Sequence, residues 1–141
     1  MMARAFLVGR VLAGGYYLMG AFHHFSNTHQ MARAAAAHGV PSPTLAVLLA
    51  GVLLLVAGLS LLLGVFPRIG VGALVLFLVP VTLVMHAFWA DRNPMTRMDD
   101  LINFTKNVGL LGSSLMFLAV PRPWPYSVER HLRLPVRALP V

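Results

Sequence analysis

The chain has 141 residues, of which 58% are hydrophobic and 11% charged, and its mean hydropathy is +0.77. A soluble domain carries about 25% charged residues, so the few polar groups present do not coat a globule in water, and a soluble fold is excluded. Net charge is +7, from 11 Lys and Arg against 4 Asp and Glu, and cysteine is absent, which excludes disulfides, thiolate metal sites and thiol–disulfide chemistry carried by the chain itself.

The basic residues sit at the ends of apolar runs, not in a stripe interleaved with aromatics. The positive balance therefore points to lipid headgroups and away from nucleic acid. Several runs reach the roughly 20 apolar residues that cross a bilayer. The expected class is an all-α integral membrane protein, a four-transmembrane-helix bundle with a short interfacial helix after the first span.

The first expected span covers residues 5–25. Arg10 interrupts its apolar run and no small-x-small site precedes His23, so a retained helix is favoured over a signal peptide. Arg10 either snorkels to the headgroups or finds a partner inside the bundle. Residues 26–43 read as a short surface helix, MARAAAAHG, stopped by Gly39 and two prolines. The second span, 44–66, has no charge, and its Gly51 and Gly58 with Ala50 and Ala57 allow close helix approach in lipid.

The short Pro67-Arg68 turn sends the third span, 69–90, back antiparallel. Pro80 removes one backbone donor near its middle. Thr82, His86 and Trp89 follow at i, i+4, i+7 and are expected on one face. Asp91 to Asp100 reads as a short polar connection. The fourth span, 101–120, carries Asn103, Asn107 and Ser114 on one stripe, with Gly109 and Gly112 free for tight packing. Residues 121–141 read as a basic, proline-rich cytoplasmic tail in which Trp124 and Tyr126 anchor at the membrane interface.

With four spans, one face carries Arg4, Arg10, Arg68, Arg122, Arg130, Arg133 and Arg137, and the other carries Arg33, Arg92, Arg97 and Lys106. The excess of arginine places both termini in the cytoplasm of a multi-pass protein of the cell membrane. His23, His24, His29, His38 and His86 then gather at the outer end with Asp91, Asp99 and Asp100. A histidine there can exchange protons near neutral pH, and Tyr17 or Trp89 can pack on a quinone ring. A metal is the weaker reading, because no HxxxH or HxH pair occurs and the rings of adjacent His23 and His24 point about 100° apart. For any one of these residues, simple capping of helix ends is the plainer role.

Several pieces together resemble the DoxX family: Arg10, then Gly20 with His23 and His24, HGVPSP before the second span, GLSLLLGVFPR, the MHAFW box, and FTKNVGLLGSSLMFL. The likeness runs nearly to Val120. It implies a small four-helix membrane protein associated with quinol oxidase, thiosulfate:quinone or oxidative-stress systems. By position it implies Arg10, His23 or His24, His86, Trp89, Lys106 and Asn107 as the matching residues. Many members have a Glu in the second span where this chain has Leu54, with Ala57-Gly58 for the glycine pair, so no mechanism needing that carboxylate is expected.

The resulting expectation is an accessory or electron-transfer-linked subunit of a quinone-dependent redox system. His86, His24 and Lys106 are the candidate catalytic residues; His23, His24, Tyr17, His86, Trp89, Lys106 and Asn107 border a cofactor site at the outer end; Arg10 ties helices together. Expected partners are the lipid bilayer and either other membrane redox subunits or further copies of the chain. The alternatives are a purely structural or assembly subunit, and an outer-side metal-binding protein.

Overall fold

The computed structural model describes residues 1–132, and every element among them is helical. The order is α1 Met2–Ser26, α2 Thr28–Ala37, α3 Pro43–Leu63, α4 Pro67–Met85, α5 Pro94–Met116, a 3-10 turn Phe117–Ala119, and α6 Val128–Leu132. Three helices, α1, α3 and α4, are long and apolar enough to cross a membrane. The fifth, at 23 residues, is long enough but begins with two polar turns. Expected Arg133 and Arg137 lie outside the described residues.

Local sequence explains the breaks. Proline occupies the first turn of α3, α4 and α5, where its missing N–H leaves no bond unmade. Gly39 and Gly64 follow α2 and α3 with φ of +75° and +68°, a left-handed conformation that glycine adopts without steric cost. Ser60 Oγ donates to the Val65 carbonyl at 2.7 Å and holds the tight α3–α4 corner.

The main packing surface joins α1 to α3. Along α1, Arg10, Gly14, Tyr17 and Ala21 form the buried face, and Gly51, Leu54, Ala57, Gly58 and Leu61 answer from α3. Lipid tails are as apolar as the side chains, so close packing rather than water exclusion holds such helices together. A Cβ on Gly14 would sit 2.9 Å from Leu62 N and 3.0 Å from Gly58 O, both backbone atoms that have no room to yield. Around Gly15 there is nothing within 4 Å. Gly14→Leu is therefore expected to lower stability by about 1–3 kcal/mol or more and Gly15→Leu to leave it near parent, a contrast that denaturation in detergent reads directly. Gly109 and Gly112 likewise meet nothing within 4 Å, so they support no close contact among the described residues.

The bundle has two chemically distinct ends. At the arginine end, Arg10 is 1% exposed. Its Nη1 donates to the carbonyls of Leu61 and Leu62, each at 3.3 Å, and Nη2 to that of Tyr126 at 2.6 Å. A cation on the last carbonyls of α3 meets the unpaired acceptors and negative pole of a helix C-terminus. Buried contact, not snorkelling, is what the guanidinium makes.

Residues 121–132 cover this end. Trp124 is fully buried, with its ring centroid 5.1 Å from Phe6 and 5.6 Å from Phe117. This corrects its reading as an interface anchor: the aromatic follows an apolar run, but the chain folds back and packs the indole inward. Buried Glu129 pairs with Arg122, and Ser127 is sealed beside them.

At the other, histidine end, α2 lies across the bundle with Ala32 and Ala35 packed on Val47. Two expected boundaries shift here. The fourth helix, α4, stops at Met85, so His86 and Trp89 do not continue the face of Thr82. The fifth helix starts at Pro94, so Arg97, Asp99 and Asp100 belong to a helix and not to a loop. Asn93 Oδ1 accepts from Met95 N at 2.9 Å and caps it, as expected of Asn before a first-turn proline.

Candidate functional site

Between α1, α3, α4 and α5 lies a cavity of about 970 Å³, closer to the histidine end and open on one side. Its walls are mostly hydrocarbon, including Val47, Leu53, Leu54, Phe77, Leu78 and Val81. Leu54, where many relatives were expected to carry Glu, is 3% exposed and lies in this apolar wall. A cavity of this size and lining suits a drug-sized lipophilic molecule with a few polar fixing points.

The polar groups arrive from three helices. From α1 come Tyr17, His23 and His24, from the end of α4 His86, and from α5 Lys106 and Asn107. Tyr17 is 3% exposed and its hydroxyl shares a 3.1 Å hydrogen bond with Ser114 Oγ, tying α1 to α5. His24 is half-buried; its Nδ1 donates to the Gly20 carbonyl at 2.8 Å, and its ring meets Phe77 edge-on. His23 is exposed at the rim and accepts from Asn27 Nδ2 at 3.1 Å.

Asn107 is 7% exposed, and its amide makes no side-chain hydrogen bond among the described residues. Lys106 is exposed, and its Nζ donates to Asn103 Oδ1 at 2.7 Å. One expected residue lies elsewhere. Trp89 is 56% exposed, packs edge-on against Phe88 and Phe104, and does not border the cavity. Arg10, expected to tie helices together, lies at the opposite end on the carbonyls of Leu61, Leu62 and Tyr126.

One partner escaped the sequence reading. His86 leaves the helical conformation directly after α4, and its Nδ1 donates to Asp100 Oδ1 at 3.0 Å. Asp100 looked like a solvated loop charge. Its place nearly two turns past the Asn93-Pro94 start signal was the clue, since a capped helix would present it beside the end of α4. Next to this pair, Asp91 Oδ2 is shut off from solvent without a hydrogen-bond partner. Loss of water pushes the Asp91 carboxyl above the usual carboxylate range, the neighbouring Asp100 pushes it further, and His38 and Arg97 pull it back.

A carboxyl whose pKa is raised by folding binds its proton more tightly in the folded state, so it disfavours folding at high pH. Its contribution improves as pH falls through the raised value towards the unfolded one, roughly 4. Asp91→Asn is expected to raise the melting midpoint at neutral pH and to flatten this part of the profile, as followed by thermal unfolding in detergent across pH 4 to 8 (about the window in question). An unchanged profile would remove Asp91 from the account.

No group of three His, Asp or Glu converges on a metal-sized site among the described residues. The DoxX family model matches residues 5–87, from the start of α1 to just past the end of α4. The chain belongs to the DoxX family. Comparison with curated proteins and with solved structures gives no match. As a DoxX protein it contacts the lipid bilayer through its apolar helices. The family match covers the α1, α3 and α4 walls of the cavity, and the α5 residues Lys106 and Asn107 lie beyond it.

Proposed function

We propose that this DoxX protein is an accessory, electron-transfer-linked subunit of a quinone-dependent membrane redox system, and that its cavity holds the quinone. In this reading α5 is the fourth span. At 1.5 Å per residue its 23 residues reach about 34 Å, enough to cross with its polar first turns in the headgroups. The excess of arginine at the Arg10 end puts that end, and both termini, on the cytoplasmic side of the cell membrane.

The observation that carries the reading is the cavity itself: an apolar chamber of about 970 Å³ whose polar groups cluster at one end. A tailed aromatic ring has the same division. The chain's own residues bind and orient. Tyr17, His24 and Asn107 fix the head, His86 on Asp100 exchanges protons at the mouth, and Lys106 draws anionic character there. Electrons come from a partner subunit.

The experiment is equilibrium binding of a short-tailed quinone and its hydroquinone to the purified protein in lipid nanodiscs. Saturable binding that is lost in Ala50→Trp, which fills the cavity, is the expected result. Absence of binding by either form overturns the proposal. A second reading, a structural subunit without chemistry of its own, draws on the open surroundings of Gly109 and Gly112 on exposed α5. A stoichiometric partner that co-purifies in mild detergent, with no ligand bound, would favour it.

A further inference from the structure

The cavity's polar end has a defined hydrogen-bonding polarity. His24 Nδ1 lies 2.8 Å from the Gly20 carbonyl oxygen. A carbonyl only accepts, so Nδ1 carries the proton, and the neutral imidazole presents Nε2 as an acceptor. This tautomer is set within α1 itself, four residues apart, and does not depend on a ligand. The ring is further held by Phe77 edge-on from α4, with centroids 5.7 Å apart, and its Cβ packs against Gly51 of α3.

Asn107 supplies the complement. It is 93% buried by its 7% exposure, borders the same cavity, and has no side-chain partner among the described residues. Its amide atoms are not among those shut off from solvent without a partner, so they stay accessible. An amide with no protein partner keeps its donors and its acceptor free for a ligand oxygen or hydroxyl. Lys106 does not compete for this role, since its ammonium is exposed and bonded to Asn103.

We propose that His24 and Asn107 make the cavity selective for a lipophilic phenol, the hydroquinone form of a tailed ring, over the oxidised quinone or a fatty acid. A ring hydroxyl donates to His24 Nε2, and ring oxygen accepts from the Asn107 amide. A quinone carries only acceptors, so its carbonyl lone pair faces that of Nε2. A carboxylate meets the same lone pair with a full negative charge. His24 is thus the specificity-determining residue of the site. The inference rests on the cavity reading above but goes further, because it assigns the redox state that is held.

The test compares three short-tailed probes with the full-length protein in nanodiscs: a hydroquinone kept reduced under anaerobic conditions, the matching quinone, and the dimethyl ether, which has the same ring but no O–H. The expected order is hydroquinone tighter than both others by about tenfold, the scale of one good hydrogen bond. In His24→Phe the three affinities converge while tail binding persists. A measurement on the unaltered protein is independent of how the variant folds: the 15N resonance of His24 Nε2, of the unprotonated type in the free protein, moves on adding hydroquinone and not the ether. Equal affinity for quinone and hydroquinone overturns the inference and leaves the cavity reading standing. Tightest binding of a fatty acid also overturns it. Binding of none of the probes overturns both.

Discussion

Replacing Arg10 with leucine is expected to lower stability by about 3 kcal/mol or more, because the carbonyls of Leu61, Leu62 and Tyr126 lose their donor together and each buried unpaired acceptor costs about 1–3 kcal/mol. The guanidinium serves three acceptors from one planar fork. Lysine offers a shorter, point-like ammonium and cannot reproduce that spread, so Arg10→Lys is expected to fall between leucine and parent. Chemical denaturation in mixed lipid–detergent micelles measures the series. Parent-like stability of the leucine variant would mean that the charge is solvated and that the contacts carry no weight.

Truncating Trp124 to alanine is the second large effect, about 3–5 kcal/mol for a fully buried indole. The ring fills the space bounded by Phe6 and Phe117, and its Nε1 donates to the Val120 carbonyl at 3.3 Å. Trp124→Phe keeps aromatic packing but loses that bond, so a smaller loss of about 1–2 kcal/mol is expected. Limited proteolysis reports the same event locally: the 121–132 segment becomes a cleavage site in the alanine variant before the helices do. An interface anchor would give neither result, since a lipid-facing ring lost to alanine leaves no hole in the protein.

Part of α1 was legible in the sequence. A charge inside an apolar run marked Arg10 as a residue that either snorkels or finds a partner, and the structure buries it on one face with Gly14, Tyr17 and Ala21. The glycine pair of α3 was legible because small residues seven apart align on one side of a helix. The two shifted boundaries were harder. Residues 86–93 leave helix at His86, where no proline or glycine marks the change, and the backbone turns there as the imidazole meets Asp100.

Asp100 was read as solvated because charge beside a loop usually is, and Asp91 only as part of a polar connection. Only the fold brings them next to the end of α4. Trp124 fell to the opposite bias, since an aromatic just after an apolar run is so often an interfacial anchor. Nothing in the local pattern distinguishes a tail that leaves the membrane from one that returns to the bundle. Arg10 held the missing signal: a charge two turns inside a helix needs acceptors, and a segment arriving from the far end of the chain was one way to supply them.

The bond between Arg10 and Tyr126 spans 116 positions, while its bonds to α3 span about half that distance. At a synthesis rate of about 5–20 residues per second, the last acceptor leaves the ribosome on the order of ten seconds after the guanidinium. Its first partners, the α3 carbonyls, emerge in roughly half that time. Biosynthesis therefore joins α1 to α3 early, with the cation already shielded, and seals the bundle only when the 121–132 segment arrives.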